Sequence, residues 1–140
     1  MPDKRCTLVN ASHPDAVQFV WPYVREYILG ASDMAKELDE FTIVGKILSG
    51  EYTLFVVTTD NEFIGAATVE IVKFPVRTIA QIIHLGGKDF KLMQSKFDEL
   101  MDWARVRGAE ALRLHGRKGW IRRLERLDFN PTFYVLERKL

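Results

Sequence analysis

The stretch TIAQIIHLGGKDFKLMQSKFDELMDWARVRGAEALRLH, residues 78–115, decides the fold. An apolar, β-branched run over Thr78–Leu85 predicts a strand. Apolar residues then recur at helical spacing through 90–104, and Asp89 is the predicted N-cap of that helix. A second strand follows over Ala109–His115. A strand–helix–strand unit of this kind needs a right-handed crossover, which makes the two strands parallel neighbours in one sheet.

The rest of the chain adds antiparallel strands and further helices. The patterns predict strands over Cys6–Asn10, Tyr52–Thr58, Phe63–Phe74 and Phe133–Leu136, and helices over Ser12–Gly30, Ala35–Leu48 and Trp120–Leu127. Pro22 is expected to kink or shorten the first helix. Asp60-Asn61 signals a turn, so the strands on either side should form a hairpin. We therefore expect one α/β (α+β) domain over residues 1–140, with a mixed, mostly antiparallel sheet flanked by helices.

Composition excludes several classes of protein. The chain has 140 residues, of which 47% are hydrophobic and 28% charged, as is typical of one soluble globular domain. A single cysteine, Cys6, rules out an internal disulfide and a multi-cysteine zinc site. No apolar run reaches the 18 or more residues of a membrane helix, and no signal-peptide core follows Met1. A cytoplasmic or otherwise reducing site of synthesis is expected, with no contact with a membrane.

Charge is divided unequally along the chain. Residues 1–70 carry 5 Lys/Arg and 11 Asp/Glu, which gives this half a net charge of −6. Residues 71–140 carry 15 Lys/Arg and 8 Asp/Glu, which gives a net charge of +7. Such a division is consistent with an anionic ligand, with a self-complementary assembly, or with halves that neutralise each other in the fold.

The element order and four stretches of the second half carry a resemblance to a known family. The stretches are Leu85-Gly86-Gly87-Lys88-Asp89-Phe90, Trp103-Ala104-Arg105, His115-Gly116-Arg117-Lys118-Gly119-Trp120 and Arg122-Arg123-Leu124-Glu125-Arg126-Leu127-Asp128-Phe129. The element order resembles that of the GNAT acyltransferase family over nearly the whole chain. With these stretches, the second half is also similar to small GNAT-like proteins of bacteriophages and prophages.

The resemblance implies a place for acetyl-CoA. In the family the cofactor binds between two splayed parallel strands, and its pyrophosphate lies at the N-terminus of the following helix, where free N–H groups and the helix dipole favour an anion. The matching positions here are Leu85, Gly86, Gly87, Lys88 and Asp89. The two glycines permit a close backbone approach and Lys88 can meet a phosphate. Alternatively, these residues form a plain Gly-Gly turn with an Asp N-cap.

The chain departs from the family at two points. The full Gln/Arg-x-x-Gly-x-Gly/Ala motif is absent, and Asp89 puts a negative charge where the phosphate should lie. The family's acidic tyrosine, a few residues before a Gly-Phe pair, aligns with Leu124, and the glycine of the pair aligns with Asp128. Leucine cannot protonate a leaving thiolate. Tyr134 or a water could replace it, and the spacing selects neither.

Two side chains are candidates for the general base that an amine acceptor needs. His84 lies near the end of its strand and has a suitable pKa range, and Glu70 on the preceding strand is second. A hydrogen-bonded structural role is the alternative for His84. His115 ends the parallel partner strand, but no carboxylate or cysteine completes a metal site there, so no metal is expected.

A basic stretch over residues 105–126 predicts an interaction surface. We expect a protein–protein contact centred on Arg117, Lys118, Trp120 and Arg122, because interface hot spots combine Trp with Arg. Absence of a helix-turn-helix or an RNP-like aromatic pattern disfavours nucleic acid. A solvated helix face also explains part of the basic charge.

Two functional hypotheses follow from the resemblance. The first is a phage-encoded GNAT-like protein with a degenerate catalytic site, acting as an internal virion or ejection component through contacts with other virion proteins or with itself. It would need no cofactor and would be found in the virion or the host cytoplasm. The second is an active acetyl-CoA-dependent N-acyltransferase. The oligomeric state and the acyl acceptor are left open.

Overall fold

The computed structural model describes residues 5–31, 37–115, 120–132 and 136–140. In chain order the elements are β1 (Thr7–Asn10), α1 (Pro14–Ala31), α2 (Glu40–Leu48), β2 (Thr53–Thr58), β3 (Phe63–Lys73), β4 (Thr78–Gly87), α3 (Phe90–Met93), a 3-10 turn (Gln94–Lys96), α4 (Phe97–Val106), β5 (Ala111–Leu114) and α5 (Trp120–Glu125). No helix of these residues is long and apolar enough to cross a bilayer.

The five strands form one sheet in the order β1-β2-β3-β4-β5. The first three pairings are antiparallel, and β4 and β5 are parallel. The expected mixed, mostly antiparallel sheet with helices on its faces is therefore confirmed. The right-handed crossover rule explains the parallel pair, since α3 and α4 connect β4 to β5.

Each face of the sheet is buried beneath different helices. Leu54, Val56 and Ala66 lie on the face that packs against the apolar sides of α1 and α2. Phe55 and Val57 alternate with these residues along β2 and lie on the opposite face of the sheet. There they pack with α4 and with Leu124 of α5. Since side chains alternate along a strand, β2 buries both of its faces and is a continuous apolar run.

Some predicted boundaries were wrong. The second helix begins at Glu40 rather than Ala35, because the Asp39 carboxylate caps it by accepting a hydrogen bond from the Thr42 N–H; residues 32–36 lie outside the described ones. Pro22 does not end α1, which continues to Ala31. In the predicted last strand, residues 133–135 lie outside the described residues and Leu136 is not in a strand.

The long central helix is interrupted by the 3-10 turn at Gln94–Lys96. Ser95 explains the break. Its hydroxyl donates to the Leu92 carbonyl at 3.0 Å, and the Cys6 thiol donates to the same oxygen at 3.4 Å. A Ser side chain that bonds the preceding turn competes with regular helical hydrogen bonding.

Candidate functional site

An opening lies between β4 and β5. Their parallel pairing covers only Ile79–Ile82 against Ala111–Leu114, whereas β4 continues to Gly87. Along those last five residues β4 has a strand partner on one side alone, β3, within the described chain. A β-bulge at Ile83 coincides with the point where the parallel pairing ends. Bulges are common at sheet edges and next to active sites, where they re-aim a side chain or end the pairing.

Gly86 and Gly87 belong to β4, so the predicted Gly-Gly turn was wrong. A Cβ on Gly86 would lie 2.2 Å from the Tyr27 carbonyl oxygen of α1. A Cβ on Gly87 would lie 2.3 Å from the Met93 sulfur and 2.7 Å from the Ile64 carbonyl oxygen. The two glycines therefore let helices pack directly on opposite faces of the strand end.

The remaining residues of the predicted phosphate site also have structural partners. Leu85 is buried in the core beneath α4. Lys88 forms an ion pair with Glu62, which raises the pKa of its ammonium group. The Asp89 carboxylate accepts a hydrogen bond from the Leu92 N–H at 3.1 Å, so the predicted N-cap is confirmed. Only Lys88 and Asp89 connect β4 to α3, which leaves no extended loop to wrap around a pyrophosphate.

His84 is buried on the face covered by α1 and α2, with 3% of its surface exposed. Its Nδ1 atom lies 2.6 Å from the Thr68 hydroxyl oxygen, and the Tyr52 ring packs edge-on at 6.3 Å between centroids. Burial lowers the pKa of His84 to about 4. The imidazole is therefore neutral at pH 7, and an acceptor amine cannot reach it while α1 and α2 stay in place.

Glu70 lies on β3 and is partly exposed. It pairs across the sheet with Gln81 of β4. On its other side it lies opposite Tyr52, the residue directly before β2, since Thr53 pairs with Val69. Burial raises the pKa of the Glu70 carboxyl, and the nearby Glu51 carboxylate raises it further. A carboxylate with a raised pKa is suited to accept a proton near neutral pH.

The surroundings of Glu70 were missed from the sequence. Lys46 pairs with Glu51 at 2.9 Å, and its ammonium nitrogen lies 5.4 Å from the centre of the Tyr52 ring. The Glu70 charge contributes to raising the pKa of Tyr52, after burial. These groups meet because the end of α2 leads through a tight turn into β2, where the Tyr52 N–H donates to the Lys46 carbonyl.

His115 contacts Gln81 rather than completing a metal centre. The Gln81 amide nitrogen lies 3.4 Å from the His115 Nδ1 atom. Burial lowers the pKa of His115, and the Arg113 charge lowers it further. Across the described part of the chain, no three His, Cys, Asp or Glu side chains are grouped to hold a metal ion.

The predicted interface lies mostly beyond what is described. Arg117, Lys118 and the side chain of Trp120 lie outside the described residues, whereas Arg122 is exposed on α5. Leu124, at the position of the family's tyrosine, is buried with 6% exposure. Asp128 has a φ of 64°, the left-handed conformation that favours glycine.

The fold defined by this sheet and its opening is that of GNAT acetyltransferases. Among similar solved structures is the ribosomal-protein-alanine N-acetyltransferase from Brucella melitensis biovar Abortus 2308, at 16% identity and a TM-score of 0.68 over 99% of both chains. An aminoglycoside acetyltransferase from an uncultured soil metagenomic sample has 11% identity and a TM-score of 0.69, again over 99% of both chains.

A third similar structure contains the acyl donor. It is a "predicted acetyltransferase with acetyl-CoA" from Clostridium acetobutylicum, at 14% identity and a TM-score of 0.67 over 98% of this chain and 96% of that one. No protein-family model and no curated protein sequence matches the chain. At these identities the likeness establishes the fold.

Proposed function

We propose that the chain is an acyl-CoA-dependent N-acyltransferase that receives the thioester arm of acyl-CoA in the opening between β4 and β5. The observation that carries the proposal is the end of parallel pairing at Ile82 and Leu114, five residues before β4 ends. Peptide groups of 83–87 on that edge can pair with the amides of a pantetheine arm. The named fold neighbours are acetyltransferases, and one holds acetyl-CoA.

The proposed chemistry is direct transfer. The nitrogen of a neutral amine attacks the thioester carbonyl, the new C–N bond forms, and the C–S bond breaks to release the CoA thiolate. We assign Glu70 as the general base that takes the proton from the acceptor ammonium, directly or through a water. Glu70 suits this role because it is partly exposed and its carboxyl has a raised pKa. His84 is the second choice, because it is buried and bonded to Thr68. Leu124 cannot protonate the thiolate, so that proton comes from water or another group.

The residues present fit the thioester arm better than the phosphates. Gly86 and Gly87 are packed against helices, Lys88 is paired and Asp89 caps α3. We therefore place the pyrophosphate outside this connector and expect acetyl-CoA to bind less tightly than a wrapped loop would allow.

The test follows CoA release with a thiol reagent while acetyl-CoA and a panel of primary amines are supplied. Glu70→Gln should lower kcat by roughly 10²–10⁴-fold, because a positioned base contributes about that much. Glu26→Gln is the matched control, since Glu26 is an exposed carboxylate on α1. Unchanged turnover in Glu70→Gln would show that Glu70 is not the base. If the wild type turned over no amine of the panel, the proposal that the chain is an enzyme would be contradicted.

A second candidate function is a non-catalytic GNAT-fold protein that acts through protein contacts. The short Lys88–Asp89 connector favours it, because every residue at the expected phosphate site has a structural partner. A component of a phage particle is one form of this function, and it rests on the sequence resemblance alone.

Calorimetry with acetyl-CoA separates the two candidates. In a non-catalytic protein, acetyl-CoA should bind weakly or not at all. Should a phosphate bind at α3, Asp89→Ala would tighten acetyl-CoA binding, since it removes the opposing charge. Glu26→Ala again supplies a control carboxylate away from the connector.

A further inference from the structure

Two turns project from the end of the sheet opposite Gly87. The first, Lys73–Arg77, connects β3 to β4, and the second, Arg105–Gly108, ends α4 before β5. Because β4 and β5 are parallel, their starting ends lie side by side, and the Glu110 N–H donates to the Thr78 carbonyl at 3.0 Å. We call these two segments together the turn surface.

Apolar side chains are exposed on both turns. Val76 is 92% exposed, Val106 83% and Phe74 45%. The turns hold them in place: the Phe74 N–H donates to the Arg77 carbonyl at 2.8 Å, and the Gly108 N–H donates to the Arg105 carbonyl at 2.9 Å. Single exposed apolar residues are ordinary, but here three lie on two turns at the same end of the sheet.

Cations flank the apolar residues on each turn. Lys73 and Arg77 bracket the Phe74-Pro75-Val76 segment, and Arg105 and Arg107 bracket Val106. Of the carboxylates close in sequence to the second turn, Asp102 pairs with Arg105 at 2.7 Å and Glu110 is exposed. The two turns carry four cations and no carboxylate, and residues 73–77 and 102–110 together, which include Asp102 and Glu110, have a net charge of +2.

One of these cations is held by an aromatic ring. The Arg107 guanidinium lies 4.2 Å from the centre of the Trp103 ring, and it donates to the Trp103 carbonyl at 3.1 Å. Arg107 therefore stays beside Val106 instead of extending freely into solvent. The position of its charge relative to Val106 is fixed by the fold.

We propose that the turn surface docks on the interface of an anionic lipid bilayer, a contact that the sequence alone did not lead us to expect. Apolar residues at projecting turn tips can enter the boundary between headgroups and acyl chains, while flanking Lys and Arg contact lipid phosphates. An acidic protein fits less well, because it would have to match the apolar side chains of both turns at once, whereas a bilayer adapts to them. The order cation–apolar–cation occurs on both turns, as this contact requires.

The docked orientation leaves the opening between β4 and β5 accessible. The turn surface adjoins the first residues of β4, and the opening adjoins its last five. The contact is therefore independent of acyl transfer, and it is a surface contact rather than a span of the bilayer.

Co-sedimentation with lipid vesicles tests the proposal. The full chain should bind vesicles of phosphatidylcholine with about one third phosphatidylglycerol and not vesicles of phosphatidylcholine alone, and high salt should weaken binding. Val76→Ser should lower the affinity about tenfold, and Arg77→Glu by about the same factor or more, since each Lys or Arg near an anionic surface contributes about fivefold. Phe41→Ser on α2, where Phe41 is 89% exposed, is the matched control and should bind like the wild type.

Three results would overturn the proposal. One is no binding to either vesicle, and another is equal loss in Phe41→Ser and Val76→Ser. The third is binding of polyglutamate that is as tight as vesicle binding and unaffected by Val76→Ser, which would indicate an acidic protein partner instead. Unfolding midpoints of the variants should match the wild type, because all three residues are exposed.

Discussion

Replacing Gly86 with alanine tests what the glycine pair on β4 does. The added Cβ would lie 2.2 Å from the Tyr27 carbonyl oxygen, 2.9 Å from its carbonyl carbon and 3.1 Å from its Cα atom. All three are backbone atoms in the last part of α1, so no side-chain rotation relieves the contact. The helix would have to move by roughly 1 Å, against an interior that is packed like a crystal.

Gly86→Ala should therefore destabilise the protein. Overpacking costs about 1–3 kcal/mol and sometimes more, which exceeds the gain of about 0.5–1 kcal/mol that alanine gives over glycine in a strand. Gly45→Ala is the matched control, because Gly45 is exposed inside α2 and nothing lies within 4 Å of its added Cβ. It should stabilise by about 1 kcal/mol, since glycine is a poor helix former.

Urea unfolding followed by far-ultraviolet circular dichroism measures both changes. The midpoint should fall for Gly86→Ala and rise for Gly45→Ala, with similar slopes if both remain two-state. A Gly86→Ala variant as stable as the wild type would refute the reasoning that α1 needs the glycine. If that variant also lost affinity for acetyl-CoA, the glycine would be serving a phosphate.

Two further predictions concern stability. His84 has an ordinary pKa of 6.5 that burial lowers to about 4, so its neutral form stabilises the fold fully above pH 6.5. That contribution is lost as the pH falls towards 4, so the free energy of unfolding should fall by about 2 kcal/mol between pH 7 and pH 5. In urea unfolding, the stability of His84→Gln should depend less on pH than that of the wild type. An identical pH dependence of the two proteins would contradict the assignment to His84. Asp128→Gly should stabilise by about 0.5–1 kcal/mol, because Asp128 has a φ of 64°; a lower unfolding midpoint than the wild type would exclude this.

The sequence predicted the fold where local signals and long-range pairing agree. The strand, helix and strand of residues 78–115 were correct in order, and Phe97, Leu100 and Ala104 of the predicted helix face are buried. Gly108, just after the end of α4, has a φ of 85°, the conformation in which glycine commonly ends a helix. Each of these features depends on a periodicity or on a residue type with one strong conformational preference.

The neighbours of Glu70 could not be predicted, because they depend on the register of a hairpin. A two-residue turn at Asp60-Asn61 predicts Tyr52 opposite Val69. An irregularity between Val57 and Thr58 shifts the pairing by one residue, so that Thr53 pairs with Val69. Tyr52 then lies beside Glu70 instead. A bulge of this kind cannot be recognised from the pattern of β-branched residues. A shift of one residue nevertheless changes which side chains share a face of the sheet.

The glycine pair illustrates the other limit of the sequence. A glycine indicates that something approaches the backbone closely, but the sequence does not say whether that is a ligand or another part of the chain. At Gly86 and Gly87 the approaching atoms are the Tyr27 carbonyl and the Met93 sulfur, and both belong to the protein. The acyltransferase function that we propose therefore depends on Glu70 and on the β4 edge that has no strand partner within the described residues, since the two glycines are already accounted for by packing. Variants that occupy the opening should then abolish turnover at unchanged stability, whereas variants of the glycines should alter stability first.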